Sequence, residues 1–327
     1  MANAVGKRLG IEYPILQGPM AWASFSGLAA AVSNAGGLGI LGLGFAPPDA
    51  ARAEIRKTRD LTDRPFGFNV YTFVPHVEGI CDVVIEERVP IVEIGALPHL
   101  FESMPAHVGR LKSAEITVIG KASSVEEAIA FERAGVDFIC LKGADGGGHI
   151  FGSTGTFSLV PEVVDAVSVP VINSSGIADG RGIAASFMLG AKGVEVGSRF
   201  LLAHECTVHE NYKQAILRAK EGDTVLTGVI CGDAVRQLPN RLSERLLKIE
   251  KECGVEEATQ RIQEMATDSL RKAAVHGDID EGCVIVGQIV GMLKKRQSAK
   301  EIVDELVEEY TAILKGVPNL LQPRKSG

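Results

Sequence analysis

Eight short apolar runs, nearly free of polar alternation, recur through the first 200 residues of this chain, at 13–17, 39–43, 66–70, 91–94, 116–120, 138–141, 169–173 and 194–197. A strand apolar on both faces is covered on both, the condition of a parallel sheet flanked by helices. The intervening segments have helical spacing or helix-favouring composition, as at 25–35, 48–58, 77–87, 125–134 and 180–189. Helix-start signals agree: Ser123 and Ser124 precede Glu126 and Glu127, and Asp179 precedes the last of these segments. Eight such units in series predict an α/β fold, a (β/α)8 TIM barrel. A doubly wound open sheet is the alternative, because periodicity does not report closure.

Beyond Phe200 the pattern changes. Residues 206–280 are polar and mostly helix-like, most strongly at 244–254 and 256–274. They read as an added, mostly helical subdomain or lid on a barrel spanning 1–205. Residues 281–327 then return to the barrel through the apolar stretch 283–292 and a final amphipathic helix at 298–314, expected on the barrel's outside.

Composition narrows the function classes. Hydrophobic residues at 46% and charged residues at 23% suit a soluble globular enzyme. With 34 basic against 41 acidic residues and no Lys/Arg block, no nucleic-acid partner is expected. The six cysteines are scattered, none within three residues of another, so neither a zinc nor a redox pair is indicated. No apolar run approaches the roughly 18 residues of a membrane span, and the N-terminus lacks a signal-peptide core. A cytoplasmic protein without a membrane partner is the expectation.

A barrel of this kind builds its active site on the loops after the strands' C-terminal ends. The first run ends in Gln17-Gly-Pro-Met-Ala-Trp22, the third in Asn69 and the fifth in Lys121. The sixth leads into Ala144-Asp-Gly-Gly-Gly-His149, the seventh into Asn173-Ser-Ser-Gly176, and the eighth into Gly197-Ser-Arg199. Glycines let backbone approach a flat ligand, and a histidine beyond them can exchange a proton near neutral pH. Ser174, Ser175, Gly176, Gly197 and Ser198 are suited to a phosphate at the place this fold favours, after the last two strands. No Gly-x-Gly-x-x-Gly follows an early strand, so a Rossmann site is not indicated.

Several of these segments carry a resemblance. Gln17-Gly-Pro-Met-Ala-Trp22, Gly67-Phe-Asn69, Asp145-Gly-Gly-Gly-His149, Ser175-Gly-Ile-Ala-Asp-Gly-Arg-Gly182 and Gly190-Ala-x-Gly-Val-x-Val-Gly-Ser-Arg-Phe200 resemble the FMN-dependent nitronate monooxygenase/enoyl-ACP reductase II superfamily. The likeness continues through Glu205–Lys213 and Val275–Asp280 to Gly287-Gln288. It implies one non-covalent FMN, with Gly18, Met20 and Asn69 at the ring and ribityl chain. Ser175, Gly176, Gly197 and Ser198 would hold its phosphate, with Ser174, Lys121 and Asp145 in the same site, Gln288 approaching from the returning segment, and His149 as the catalytic proton donor or base. The chain departs from the family pattern in Ser174-Ser-Gly176, in Asp145 where reductases have Glu, and in Lys121, which matches monooxygenase-like relatives.

The post-barrel segments look more like the reductase branch. The resemblance then implies NADH- or NADPH-dependent reduction of a 2-enoyl thioester, on a small-molecule or acyl-carrier-bound substrate, in fatty acid biosynthesis. A homodimer is a further expectation. The alternatives are a nitronate monooxygenase using dioxygen, an NADH:quinone reductase, and a non-enzymatic scaffold binding a partner through 206–280. His76, His99, His107, His204 and His209 read as structural, without metal spacing. His276 could touch the substrate channel, Trp22 could stack near the ring, and Arg199 is expected to pair with Asp179.

Overall fold

A computed structural model describes residues 4–96 and 101–320. His99 lies outside them. In chain order the strands are β1 (Ile15–Gln17), β2 (Ile40–Leu41), β3 (Gly67–Tyr71), β4 (Ile91–Gly95), β5 (Thr117–Ala122), β6 (Phe138–Leu141), β7 (Gly148–Ile150), β8 (Val171–Asn173), β9 (Gly193–Val196), β10 (Val225–Thr227) and β11 (Ala234–Gln237). The eight predicted runs form one parallel sheet, ordered β1-β9-β8-β6-β5-β4-β3-β2. A parallel bridge between Leu16 and Leu38 brings β1 beside the start of β2, so the sheet curls into a (β/α)8 barrel.

Side chains alternate between the two faces of a strand. Pointing outward, Phe68, Val70, Val92, Ile94, Val118, Ile139 and Leu141 pack against helix residues such as Ile55, Ile80, Val84, Leu111 and Phe131. Pointing inward, Leu16, Ile40, Ile91, Ile119, Phe138 and Ile172 fill the barrel with Val5 and Leu9 of the helix Ala4–Leu9. Both faces are apolar because both are buried. That is why the runs showed no alternation.

The expected helices form as Ser26–Asn34, Pro48–Leu61, Val77–Glu86, Val125–Ala134 and Gly180–Met188. Ser124 caps the fourth by accepting from Glu127 N (3.1 Å), and Asp179 caps the fifth by accepting from Arg181 N (2.9 Å). Two helices, Met104–Ser113 and Thr156–Ala166, join the ring beyond those expected. The final helix runs over Ala299–Leu320 and packs on the barrel's outside against Gly180–Met188 and Ser26–Asn34.

Between 206 and 280 the structure corrects the helical reading. The helices Glu210–Arg218, Arg241–Glu252, Val255–Ala266 and Ser269–Ala274 are joined by an antiparallel hairpin of β10 and β11. β11 also pairs with β7, so the glycine run ends in a strand of a small three-stranded sheet rather than in a loop. These strands are three or four residues long, too short to establish a period of their own. The expected helix at 256–274 is two helices, broken where Asp268 takes φ +61°. Residues 283–292 form a bridge at Ile285 and a 3-10 turn, Gln288–Met292. Among the described residues no helix is long and apolar enough to cross a membrane.

Candidate active site

The inward positions change character toward the C-terminal rim. In register with the apolar layer, β3 next presents Asn69 and Tyr71, β4 Glu93 and Gly95, β5 Lys121, β6 Cys140, and β9 Glu195. Above them opens a cavity of about 350 Å³. It is lined by every residue expected at the site except Gln288: Gly18, Met20, Asn69, Lys121, Asp145, His149, Ser174, Ser175, Gly176, Gly197 and Ser198. Gln288 is exposed, and the returning segment reaches the cavity through Ile285, Gly287 and Ile289 instead. The backbone of Gln288, not its side chain, does the holding: its N–H donates to Asp145 O at 3.0 Å.

The cavity floor is an ion cluster that the motifs did not reveal. Lys121 Nζ donates to Glu195 Oε1 and to Ser174 Oγ (2.9 Å), and lies 3.4 Å from both Glu93 Oε1 and Cys140 Sγ. Burial, then the negative charge of Glu195, raises Glu93 well above the carboxylate range, so it keeps its proton. Burial opposes ionisation of Glu195 as well, but Lys121 and the hydrogen bonds from Glu93, Lys121 and Ser174 outweigh it and hold Glu195 low. Burial also opposes the charge on Lys121, yet its neighbours keep it protonated. The Cys140 thiol is pushed well up by burial and by Glu195, so the countercharge of Lys121 is the Glu195 carboxylate. Glu93, Cys140 and Glu195 bring ligand atoms within 4.8 Å of one another, but the ammonium already fills the space among them. A signal was available: each glutamate is the sole charge inside an apolar run, Ile91-Val-Glu-Ile94 and Val194-Glu-Val196.

One wall is a cradle of backbone. Gly176 adopts φ +72°, and a Cβ there would stand 2.5 Å from Asp145 Oδ2. A Cβ on Gly147 would stand 2.7 Å from Gly287 N, so the glycine run and the returning segment meet backbone to backbone. Asp145 Oδ1 accepts from Thr156 N (3.0 Å) and Oγ1 (2.6 Å), tying the glycine run to the helix Thr156–Ala166. Asn173 braces the next loop, donating to Ser175 O and Ser186 Oγ and accepting from Ser175 N. Ser198 Oγ accepts from Gly287 N at 3.0 Å. Asn69 is buried and its Oδ1 has no partner among the described residues.

The cavity also has apolar lining: Phe45, Phe73, Val74, Phe151, Leu270 and Ile289. His149 stands half-exposed at its edge on β7, its ring stacked on Phe151. Its Nδ1 lies 2.6 Å from Asp233 Oδ1, on the approach to β11. This contact, with the charge of the histidine, lowers the Asp233 carboxyl. An ionised carboxylate only accepts, so Nδ1 carries the hydrogen and Nε2 is left for other chemistry.

Other expected residues fall elsewhere. Arg199 pairs with Gln297 and Glu305 rather than with Asp179, which binds Arg181. The Asp179 carboxylate is already engaged as the cap of its own helix. Trp22 packs between Phe45 and Arg271. His276 is exposed and does not line the cavity, and His209 caps the helix Glu210–Arg218 through Nδ1. His107 is buried beside Glu78, and His76 precedes the helix Val77–Glu86.

Known proteins resemble this arrangement over nearly its full length. The family model described as nitronate monooxygenase matches residues 3–90 and 74–309. A probable nitronate monooxygenase of Staphylococcus haemolyticus is 33% identical over 95% of this chain and 98% of its own. A counterpart from Staphylococcus aureus is 35% identical with the same coverage. Among solved structures, FabK from Thermotoga maritima superposes with TM-score 0.91 at 39% identity, covering 97% of this chain and 98% of that one. The nitroalkane oxidase of Streptomyces ansochromogenes superposes with TM-score 0.80 at 27% identity, covering 94% and 98%.

Proposed function

Because this chain belongs to the nitronate monooxygenase family of oxidoreductases, we propose that it binds FMN in the rim cavity and reduces a 2-enoyl thioester with NADH or NADPH. The observation that carries this reading is the apolar lining that Phe45, Phe73, Val74, Phe151, Leu270 and Ile289 give to the same cavity as the glycines and serines. A short nitroalkane anion makes little use of so much apolar lining, whereas an acyl chain buries itself there at roughly 0.8 kcal/mol per methylene. The 39% identity to FabK, an enoyl-ACP reductase II, supports the same side.

The residues present fit FMN. Gly147 and Gly176 let the loops behind the cavity pack against Gly287 and Asp145, a Cβ on Gly197 would meet only Met20 Sδ at 3.9 Å, and the buried Asn69 Oδ1, without a partner among the described residues, would offer an acceptor to the bound group. Ser175, Gly176, Gly197 and Ser198 would hold the phosphate, with Gly18, Met20 and Asn69 at the ring. When bound, FMN supplies the hydride chemistry that no side chain can. The chain's own part is to bind, orient and move a proton. His149, with Nδ1 held by Asp233, would pass a proton through Nε2 to the substrate's α-carbon.

A second reading, oxidation of an alkyl nitronate by dioxygen, is favoured by the Lys142 ammonium in the cavity and by the relatives' printed names. Two assays separate the readings, nicotinamide oxidation without oxygen and oxygen uptake in air. NADH or NADPH oxidation that requires crotonoyl-CoA supports the reductase. Oxygen uptake with propionate 3-nitronate in the absence of nicotinamide, and no enoyl-dependent turnover, overturns it.

A further inference from the structure

Lys142 follows β6 directly and shares the inward parity of Phe138 and Cys140, which places it above the Lys121 cluster. It lines the cavity, and it was absent from the motifs. The other two basic side chains lining the cavity are spoken for: Lys121 by Glu195, and His149 by Asp233. Lys142 makes no ion pair and donates no side-chain hydrogen bond to any described residue. Its stem runs along the glycine run: a Cβ on Gly146 would lie 3.0 Å from its Cε, and one on Gly148 would lie 3.8 Å from its Nζ. Residues without side chains thus leave the ammonium open to the cavity. A partly buried, unpaired ammonium costs free energy unless something in the site answers its charge.

We propose that Lys142 is the oxyanion-binding residue of this cavity, its ammonium holding negative charge on an oxygen conjugated with the substrate's reacting carbon. The inference rests on reading the cavity as the substrate site. Reduction of an enoyl thioester by NADH or NADPH adds hydride to the β-carbon, and the displaced π electrons leave negative charge on the thioester carbonyl oxygen. The enolate so formed is neutralised when its α-carbon takes a proton. An alkyl nitronate carries the same kind of charge on its nitro oxygens. Either oxygen meets a desolvated ammonium already in place, the arrangement that stabilises developing charge most. Burial and the neighbouring Lys121 draw the Lys142 ammonium down to about 8, so it favours a ligand that restores its charge. The groups around it are Lys121, Glu195, Glu93 and Cys140, of which Lys121 and Glu195 already neutralise one another.

The test compares FMN-loaded wild type, Lys142→Met and Lys142→Arg, each verified by flavin absorbance. Every protein is titrated anaerobically with acetoacetyl-CoA, a β-keto thioester that binds as its enolate, and with ethyl nitronate, reading the perturbed flavin spectrum. The expected result is that an anion bound by wild type binds about tenfold or more weakly to Lys142→Met, and less weakly to Lys142→Arg. Acceptor-dependent turnover should fall about 100-fold in the methionine variant, while reduction by NADH without acceptor changes little. A response to the nitronate alone sinks the enoyl-thioester reading and leaves Lys142 in its role. Unchanged affinity for both anions overturns the proposal. So does a shifted flavin midpoint potential with unchanged anion affinity, which would assign the ammonium to the cofactor ring instead.

Discussion

Glu93 and Glu195 are the same side chain, both buried, a few ångströms from one ammonium, yet one is neutral and the other charged. The difference follows from proximity: Lys121 is closer to Glu195, and two carboxylates sharing one ammonium cannot both ionise cheaply. Glu93→Gln keeps a neutral donor in place and should change stability by no more than about 1 kcal/mol. Glu195→Gln strands the Lys121 charge and should cost about 3–5 kcal/mol. Urea denaturation of both variants checks the asymmetry, and equal losses would refute the charge assignment. The pH dependence has a definite sign. Glu195 is held below its unfolded value of 4.5, so its contribution is complete above that pH and is lost as pH falls toward about 2. A denaturation series should therefore show Glu195→Gln and wild type converging on acidification through that window. At the cavity edge, His149→Ala should keep its flavin and lose about 10²–10⁴-fold in turnover, the usual worth of a positioned proton donor. Normal enoyl-dependent turnover in that variant would remove His149 from the mechanism.

Elements matter here chiefly where they meet. The β10–β11 hairpin pairs β11 with β7, opposing Val235 to His149, and the residue just before β11 is Asp233. Backbone ladder and side-chain contact thus hold one histidine from two directions. Gly228 at φ +80° and Gly232 at φ +70° make the turns that deliver Asp233, and a Cβ on Gly228 would stand 2.5 Å from the Asp233 carbonyl. In Asp233→Asn the amide can donate to Nδ1, so the imidazole tautomer is no longer imposed. Nitrogen-15 shifts of His149 should then report a mixture of tautomers with flavin content unchanged. Turnover should drop by a share of the about 10²–10⁴-fold assigned to the histidine itself. A single retained tautomer would show that Asp233 does not orient the ring. The expectation of helices across 206–280 missed this hairpin because its strands are too short to carry a period and derive their stability from β7.

For the whole molecule, the barrel supplies a rim and the segments after residue 205 close over it: Val208, Tyr212, Leu270, Ala274, Ile285, Gly287 and Ile289 all line the cavity. Tyr212, buried with its hydroxyl donating to Ile285 O at 2.8 Å, ties the two later segments together. A ligand that fits between rim and cover should stabilise both. At 100 times its dissociation constant FMN should add about 2.7 kcal/mol to the folded state. Thermal scans of apoprotein with and without FMN should show the transition rise, and coincident scans would argue against an FMN site. The amino-acid order determined the barrel, most of its helices, and which loops carry the glycines, serines and His149. These depend on apolar period, caps and turn residues, all written within a few positions of one another. Only the tertiary structure decided which carboxylate is ionised, that Lys142 has no ion-pair partner among the described residues, and that Asp233 holds His149 from 84 residues away. Charge state and pairing depend on distance and burial in space, and neither can be read along a chain whose contacting groups lie 74 or 84 residues apart.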